Sequence, residues 1–187
     1  MGFILTELIE ALCPDGVVYK RIGDIAEVGT GSSNGNEAVD NGVYPFFVRS
    51  QTIKAKDDYE YDEEAIIIPG EGGIGEIFHY VNGKYALHQR VYRIHFLTKD
   101  VNVKFAYYYM QANFKSFILK KAVSATVTSI RKPMVEGFPL PMPPAYFSEA
   151  QKWPLSAAAF PFPADGRNHG SHSDGRSNPE HDPAQTG

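Results

Sequence analysis

The hydrophobic and polar positions along the chain change their period near residue 100, and this change predicts the order of the elements. Before it, GVYPFFVRS (42–50) and EEAIIIPG (63–70) are rich in aromatic and β-branched residues and are bounded by turn formers. Residues 91–96, VYRIHF, alternate between two sets of side chains. Such segments are typical of β-strands, so we predict a strand at each of the three.

A helical pattern follows these segments. Apolar residues recur at steps of three and four, at Val103, Ala106, Met110, Phe114 and Phe117. This spacing is typical of one face of a helix, which we predict over about residues 102–121. Lys120 and Lys121 fall in its last turn, where they suit the negative end of the helix dipole.

A glycine-rich segment lies between two of the predicted strands. Its glycines at positions 70, 72, 73 and 75 follow the apolar run at 66–68. A Walker loop requires a following Lys-Ser/Thr and a dinucleotide-binding loop opens a helix, and neither pattern follows here. Glu71 and Glu76 would also repel an anion. We therefore predict a strand-to-strand connection whose glycines allow positive φ or a close backbone approach.

The clearest local turn signal is Asn82-Gly83, which lies between two apolar-alternating arms in EIFHYVNGKYAL (76–87). Asn-Gly is the preferred pair at the centre of a type I′ turn. The sequence therefore predicts a β-hairpin centred on these two residues.

These patterns together predict an α+β fold, a twisted mixed β-sheet of short strands with a few helices. Residues 1–16 are predicted to form a helical lead-in, with a short helix that ends at Pro14. Residues 17–144 form the predicted domain. Residues 145–187 are rich in Pro, Gly, Ser, Asn and His without any period, so we predict a disordered tail.

Charge is distributed unevenly along the chain. The formal net charge is −4. Residues 57–64 hold six acids and no base, whereas residues 101–135 hold six bases and no acid. Such separation permits a basic face on an acidic protein, as a nucleic-acid binder requires. An equally good interpretation is that each run is a solvated surface.

The composition also indicates a compartment. The single cysteine, Cys13, excludes an intramolecular disulfide, as expected in a reducing environment. No apolar run approaches the ~20 residues that a membrane helix needs, and the start of the chain does not have the pattern of a signal peptide. We therefore expect a soluble cytoplasmic protein without a membrane partner.

The sequence shows no pattern that predicts catalysis or metal binding. Cys13 has no nearby histidine in the sequence, and His79, His88 and His95 lie on or beside predicted strands without a ligand-type spacing. The histidines of the predicted tail fit no compact ligand set either. We predict no enzymatic activity, no metal and no cofactor.

Polar and basic residues that suit nucleic acid are concentrated in three loops. The candidates are Arg49, Ser50, Gln51 and Lys54, then His88, Gln89 and Arg90, then Thr126, Thr128, Ser129 and Arg131. Arg and Lys pair with guanine and Gln with adenine in the major groove, while hydroxyl groups and Lys suit phosphate oxygens. The loops are thus compatible with DNA, although similar loops occur on proteins that bind nothing charged.

Five segments in order resemble one known family. They are YKRIGDIAEVGTGSS, YPFFVRSQTI, IIIPGEGGIGEIF, YALHQRVYRIHF and SATVTSIRKPMVEGFPLPMPP, within residues 14–144. The order resembles a target-recognition domain of the specificity subunit of type I restriction-modification enzymes. The resemblance implies a domain that reads one half of a bipartite DNA site. It adds Ser32, Ser33 and Asn34 to the expected DNA contacts.

The resemblance also implies a non-catalytic subunit of a larger enzyme. A methyltransferase subunit would supply base methylation with S-adenosylmethionine. A motor-nuclease subunit would supply ATP- and Mg²⁺-dependent translocation and cleavage. The expected partners are therefore double-stranded DNA and these two subunits, and this chain itself would bind no cofactor.

The chain departs from the family pattern after PLPMPP. Complete members carry two such domains separated by long helices that dock the methyltransferase subunits. Here Pro154, Pro161 and Pro163 would break a helix at that place. We expect that residues from about 145 onward come from a frameshift or a rearranged gene end, and that docking of the methyltransferase is impaired.

Two alternative functions stay open at this point. One is a truncated protein-interaction module that competes with, or modulates, a full-length specificity subunit. The other is an enzyme that binds a nucleotide or small molecule at the glycine-rich segment, which the missing lysine disfavours.

Overall fold

The computed structural model describes Ile9, residues 13–121 and residues 129–142. The strands are β1 (Val18–Arg21), β2 (Ala26–Thr30), β3 (Tyr44–Phe47), β4 (Lys54–Lys56), β5 (Tyr61–Pro69), β6 (His79–Leu87), β7 (Val91–Phe96) and β8 (Pro139–Met142). The helices are α1 (Ile22–Ile25), α2 (Val103–Lys121) and α3 (Lys132–Glu136), with a 3-10 turn at Gly35–Glu37. The three predicted strands and the long predicted helix are confirmed.

Six of the strands form one mixed sheet in the order β2-β7-β5-β6-β3-β4. The β3–β6 pair is parallel, and the other neighbours in this sheet are antiparallel. Strands β1 and β8 form a separate antiparallel pair. The predicted α+β class, with a mixed sheet of short strands and a few helices, is confirmed.

Helix α2 covers one face of the sheet because its apolar side chains recur along one side. Ile66 and Ile68 of β5 and Ile94 of β7 belong to the same buried cluster as Met110 and Phe114 of α2. Burial of each such side chain stabilises the fold by about 1.5–3 kcal/mol. The helix-to-sheet contact is therefore the main core of the described residues.

The opposite face of the sheet is buried as well. Ile67 of β5 packs there with Tyr85 and Leu87 of β6. Strand β5 is covered on both faces, which explains the uninterrupted apolar run at 66–68. The loop after β2 reaches the end of β6, where the Ser33 N–H donates to the Leu87 carbonyl at 3.3 Å.

The hairpin predicted at Asn82-Gly83 is wrong. Both residues lie inside β6, where Asn82 pairs with Glu64 and Gly83 with Glu63 of β5. The alternating residues on both sides belong to one continuous strand. Its pairing with β5 from His79 to Tyr85 outweighs the local preference of Asn-Gly for a turn.

The glycine-rich segment makes the turn between β5 and β6, as the sequence predicted. Gly72, Gly73 and Gly75 have φ of 72°, 82° and 66°, the left-handed region that a residue with a Cβ avoids. Helix α2 also passes close by, because a Cβ on Gly75 would lie 3.0 Å from the Lys115 Cα. A strand follows this segment, whereas a helix follows a nucleotide-binding loop.

Some acidic side chains of the run at 57–64 are exposed to solvent, and others accept hydrogen bonds within the protein. Asp57, Asp58 and Asp62 are exposed. Three of the glutamates accept hydrogen bonds within the protein: Glu60 from Ser33, Glu63 from Arg93 and Glu64 from Tyr80. The interpretation as a solvated surface therefore holds for only part of the run.

Some predictions fall outside the described residues. The lead-in helix does so apart from Ile9 and Cys13, which are both buried and joined by a backbone hydrogen bond of 2.8 Å. Thr126, Thr128 and the predicted tail at 145–187 lie outside as well. The boundaries of the predicted domain, at 17 and 144, stay predictions.

Candidate nucleic-acid interface

Three of the predicted DNA-binding loops meet around the glycine-rich segment. The backbone of Ser33 pairs with that of His88 as an isolated parallel bridge. The N–H of His88 donates to the Phe47 carbonyl at 3.0 Å, next to the loop that carries Arg49. The Arg90 carbonyl accepts a 2.9 Å hydrogen bond from Gly70 N–H. Segments far apart in the sequence therefore form one cluster.

A single carboxylate joins two arginines at the centre of this cluster. Arg49 follows β3, Arg90 precedes β7, and Glu71 belongs to the glycine-rich segment. Arg49 Nη1 lies 2.9 Å from Glu71 Oε2, and Arg90 Nη1 lies 2.8 Å from Glu71 Oε1. The hydrogen bond from Arg49, supported by that from Arg90, lowers the pKa of Glu71. The carboxylate is therefore ionised, and the group of three keeps an excess of positive charge.

His88 fixes the backbone beside these arginines. It is buried, and its Nδ1 accepts a 3.0 Å hydrogen bond from the Arg90 N–H. Burial, together with the positive charges of Arg49 and Arg90, lowers the pKa of His88. The imidazole is thus neutral near pH 7, as an acceptor at Nδ1 must be.

The loop after β2 is held by a second carboxylate. Ser33 Oγ donates to Glu60 Oε1 at 2.6 Å, and the Ser32 N–H donates to Glu60 Oε2 at 2.8 Å. Lys56 Nζ donates to Ser33 Oγ at 2.8 Å. Ser33 is only 2% exposed, so its hydroxyl serves the protein interior, whereas Ser32 lies at the surface.

Two amides lie on the exposed side of the same loops. Gln89 Nε2 donates to Asn34 Oδ1 at 2.9 Å, and both residues are exposed. The Gln89 N–H also donates to the Ser33 carbonyl at 3.0 Å. Amide side chains of this kind can offer a donor and an acceptor to a base edge.

The remaining candidates surround this cluster. Ser50 is half-buried and its carbonyl lies 3.1 Å from His79 Nε2, while Gln51 and Lys54 are exposed. Ser129 and Arg131 flank Ile130, whose N–H donates to the Gly70 carbonyl at 2.8 Å. The segment after α2 is therefore attached to the same glycine-rich segment, and Arg131 is exposed.

Sequence reasoning missed the residues that hold the loops. In the sequence, Glu71 stands only as a charge that would repel an anion, and Glu60 only as one acid of the run at 57–64. Glu71 lies 22 residues from its partner Arg49, and Glu60 lies 27 residues from its partner Ser33. No local spacing in the sequence indicates such contacts. Glu76 is occupied similarly, by an ion pair with Lys115 of α2.

The described residues lack two features that are typical of other classes of protein. No group of three or more His, Cys, Asp or Glu side chains in these residues is arranged to hold a metal ion. No helix within the same residues has both the length and the apolar character for crossing a membrane.

The family follows from comparison with known proteins. Residues 14–152 match the family described as Type I restriction modification DNA specificity domain. The chain belongs to this family. It is 28% identical over 112 residues to the Type I restriction enzyme EcoDI specificity subunit of Escherichia coli. The resemblance seen in the sequence is confirmed, and the family is one of DNA sequence recognition.

Solved structures of the same kind share the fold. The S subunit of a type I restriction-modification system from M. genitalium matches 66% of this chain with a TM-score of 0.54 at 16% identity. The HsdS subunit from Thermoanaerobacter tengcongensis matches 79% with a TM-score of 0.54 at 12% identity. The predicted target-recognition fold is confirmed by these likenesses.

This chain spans only part of its relatives. The match covers 24% of the Escherichia coli subunit, 33% of the M. genitalium chain and 40% of the Thermoanaerobacter tengcongensis chain. The activities and partners of those larger proteins therefore enter only as proposals.

Proposed function

We propose that this chain binds double-stranded DNA in a sequence-specific manner, by reading one half of a bipartite site as part of a type I specificity subunit. The observation that carries the proposal is the convergence of Arg49 and Arg90 on Glu71. Arginine is the residue that most often makes bidentate contacts with guanine in the major groove. Membership in a family of DNA specificity domains supports the same function.

The cluster divides into residues that face the solvent and residues that hold them. Of the predicted contacts, Ser32, Asn34, Arg49, Gln51, Lys54, Gln89, Arg90 and Arg131 are exposed. We assign DNA contact to these residues. Ser33 and His88 are buried, so we assign them the positioning of the loops.

The chemistry of such a system would belong to other subunits. We propose that a methyltransferase subunit with S-adenosylmethionine and a motor-nuclease subunit with ATP and Mg²⁺ are partners of this chain, and that it has no catalytic role itself. The family supports this division of work. The expected place of action is the cytoplasm, where such an enzyme meets chromosomal DNA.

The test is binding of the full chain to a pool of random double-stranded DNA at low and moderate salt. We expect weak binding with steep salt dependence, because phosphate contacts dominate when half a site is read. R49A and R90A should each weaken binding to selected DNA by about tenfold or more. R21A is the matched control, because exposed Arg21 of β1 also pairs with an acid, Asp24 of α1, and β1 belongs to the separate β1–β8 pair.

Two outcomes would contradict the proposal. The first is absence of binding at low salt. The second is unchanged binding by R49A and R90A. If these variants still associate with a full-length specificity subunit, the protein-interaction alternative would take its place.

A further inference from the structure

We propose that Glu71 is a specificity-determining positioning residue, which aligns Arg49 and Arg90 so that they read adjacent base pairs. The inference rests on the proposed function and names the residue that would give the DNA contacts their sequence discrimination. In this role Glu71 does not touch DNA. It acts through the two arginines.

The geometry limits how far apart the arginines can lie. The two oxygens of one carboxylate each accept from an Nη1 atom, at 2.9 Å for Arg49 and 2.8 Å for Arg90. The guanidinium groups are therefore separated by no more than one carboxylate and two hydrogen bonds. Bases along a strand are about 3.4 Å apart, so two such groups can reach neighbouring base pairs.

The hydrogen bonds leave donors for a base. Each arginine donates from Nη1 to Glu71. The same hydrogen bond orients the guanidinium group, and its Nη2 and Nε atoms do not donate to the carboxylate. A guanine presents two acceptors, O6 and N7, that suit a pair of guanidinium donors. A guanidinium that is already oriented loses less conformational entropy when it binds.

The backbone on both sides of Glu71 is fixed against the same two loops. Gly70 N–H donates to the Arg90 carbonyl at 2.9 Å. A Cβ on Gly72, whose φ is +72°, would lie 3.3 Å from the Arg49 carbonyl. The carboxylate therefore extends from a backbone held against the backbones of both arginines, and the glycines allow this close approach.

The partial exposure of these three side chains fits a role in binding better than a role in the stability of the fold. The side chains of Glu71, Arg49 and Arg90 are 34%, 46% and 58% exposed. Exposed ion pairs contribute little to the free energy of unfolding. A carboxylate in a surface meant for DNA also weakens binding to phosphate in general. Its presence is therefore better explained by the orientation that it imposes.

The substitution E71Q separates these effects. Glutamine offers one acceptor oxygen, so it can hold one arginine and presents an N–H₂ group to the other. Loss of the negative charge should raise the affinity for unselected DNA, by about 3- to 10-fold at low salt. Because glutamine can hold only one arginine at a time, sequence preference should weaken at two adjacent base pairs. A purely structural role would leave the sequence preference unchanged.

E76Q is the matched control. Glu76 lies in the same glycine-rich segment, is exposed, and pairs with Lys115 of α2 instead of with either arginine. E76Q removes the same charge from the same segment. We expect E76Q to keep the selected sequence, and E71D, which keeps the charge, to bind unselected DNA as the wild type does.

The experiment is the selection of DNA from a random duplex pool by the wild-type chain and by its E71Q, E71D and E76Q variants. The thermal unfolding of each protein is measured as well. The inference is overturned if E71Q selects the same sequence as the wild type, or if E76Q loses the same two positions. It is equally overturned if the loss appears only in variants that unfold at the assay temperature. If the wild type selects no sequence at all, the proposed function itself fails.

Discussion

Two ion-pair groups in this protein have the same chemistry in opposite arrangements. At the glycine-rich segment, one carboxylate, Glu71, lies between two arginines and is partly exposed. On the sheet, one arginine, Arg93, lies between Glu63 and the more exposed Glu27, and the Arg93 side chain is only 8% exposed. The difference in burial decides what each group does.

The inner group is part of the fold. Arg93 Nη1 donates to Glu63 Oε1 at 2.9 Å, and the guanidinium carbon lies 4.4 Å from the centre of the Tyr61 ring. The hydroxyl of Tyr85, a fully buried residue, donates to the same carboxylate at 2.8 Å. Loss of Arg93 would leave the charge of Glu63, whose side chain is 15% exposed, uncompensated and largely away from water. The outer group is partly exposed, so water can solvate the charges that remain when one member is lost.

The largest expected effect is on stability, from R93M. Removal of one partner from a buried ion pair costs about 3–5 kcal/mol, because the remaining charge stays desolvated. Chemical unfolding followed by circular dichroism should show this loss. The double variant R93M/E63Q should recover a large part of it, and R21M, at an exposed arginine, should unfold like the wild type. A wild-type midpoint for R93M would contradict the structural role of the inner group.

A smaller effect is expected from G72A in the glycine-rich segment. Gly72 has a φ of +72°, and a residue with a Cβ in this region costs about 1–2 kcal/mol. The added methyl group would also press on the Arg49 carbonyl at 3.3 Å. We expect a modest loss of stability together with weaker DNA binding. The control is G16A, since Gly16 has a similar φ of +86° with open space around it, and it should lose stability without losing binding.

The pH dependence of stability should report on two histidines near the outer group. Burial lowers the pKa of His79 and of His88 from 6.5. Below pH 6.5 the unfolded state therefore takes up protons before the folded state does, so the free energy of unfolding falls as the pH is lowered through this range. Above pH 6.5 this contribution is complete. Unfolding curves at pH 7.5, 6.5 and 5.5 should show the decrease, and the H79Q/H88Q variant should show less of it. Equal slopes for both proteins would exclude these two histidines as the source.

The smallest effect on stability is expected from E71Q. Its ion pairs are exposed, so the thermal midpoint should change by less than about 2 °C. Differential scanning fluorimetry of E71Q beside the wild type measures this change. A loss as large as that of R93M would show that the outer group also belongs to the core, and the contrast between the two groups would disappear.

The fold class could be predicted because its signals are local and repeated. The step of three and four from Val103 to Phe117 describes a helix, and the run at 66–68 describes a strand buried on both faces. Asn82-Gly83 shows the limit of local signals. A pair that favours a turn lies in mid-strand because its strand has a long partner, which only the sheet reveals.

The members of the candidate interface stay predictions from the sequence, and their arrangement in space could not be predicted. Residues such as Arg49 and Arg90 were identified from the chemistry of DNA contacts. Sequence patterns do not distinguish a buried Ser33 or His88 from the exposed residues beside them. Nor do they show that Glu60 and Glu71 hold the loops, because both carboxylates act on residues that are distant in the sequence.

By itself, the sequence determined the long helix, three of the strands, the family and the residue types available for DNA, since period and segment order are properties of neighbouring residues. Only the tertiary structure decided that the glycine-rich segment meets three loops and that its Glu71 joins two arginines. The physical reason is that ion pairs and close backbone contacts depend on distance in space. The pairing of β3 with β6, and of the Ser33 backbone with that of His88, sets that distance.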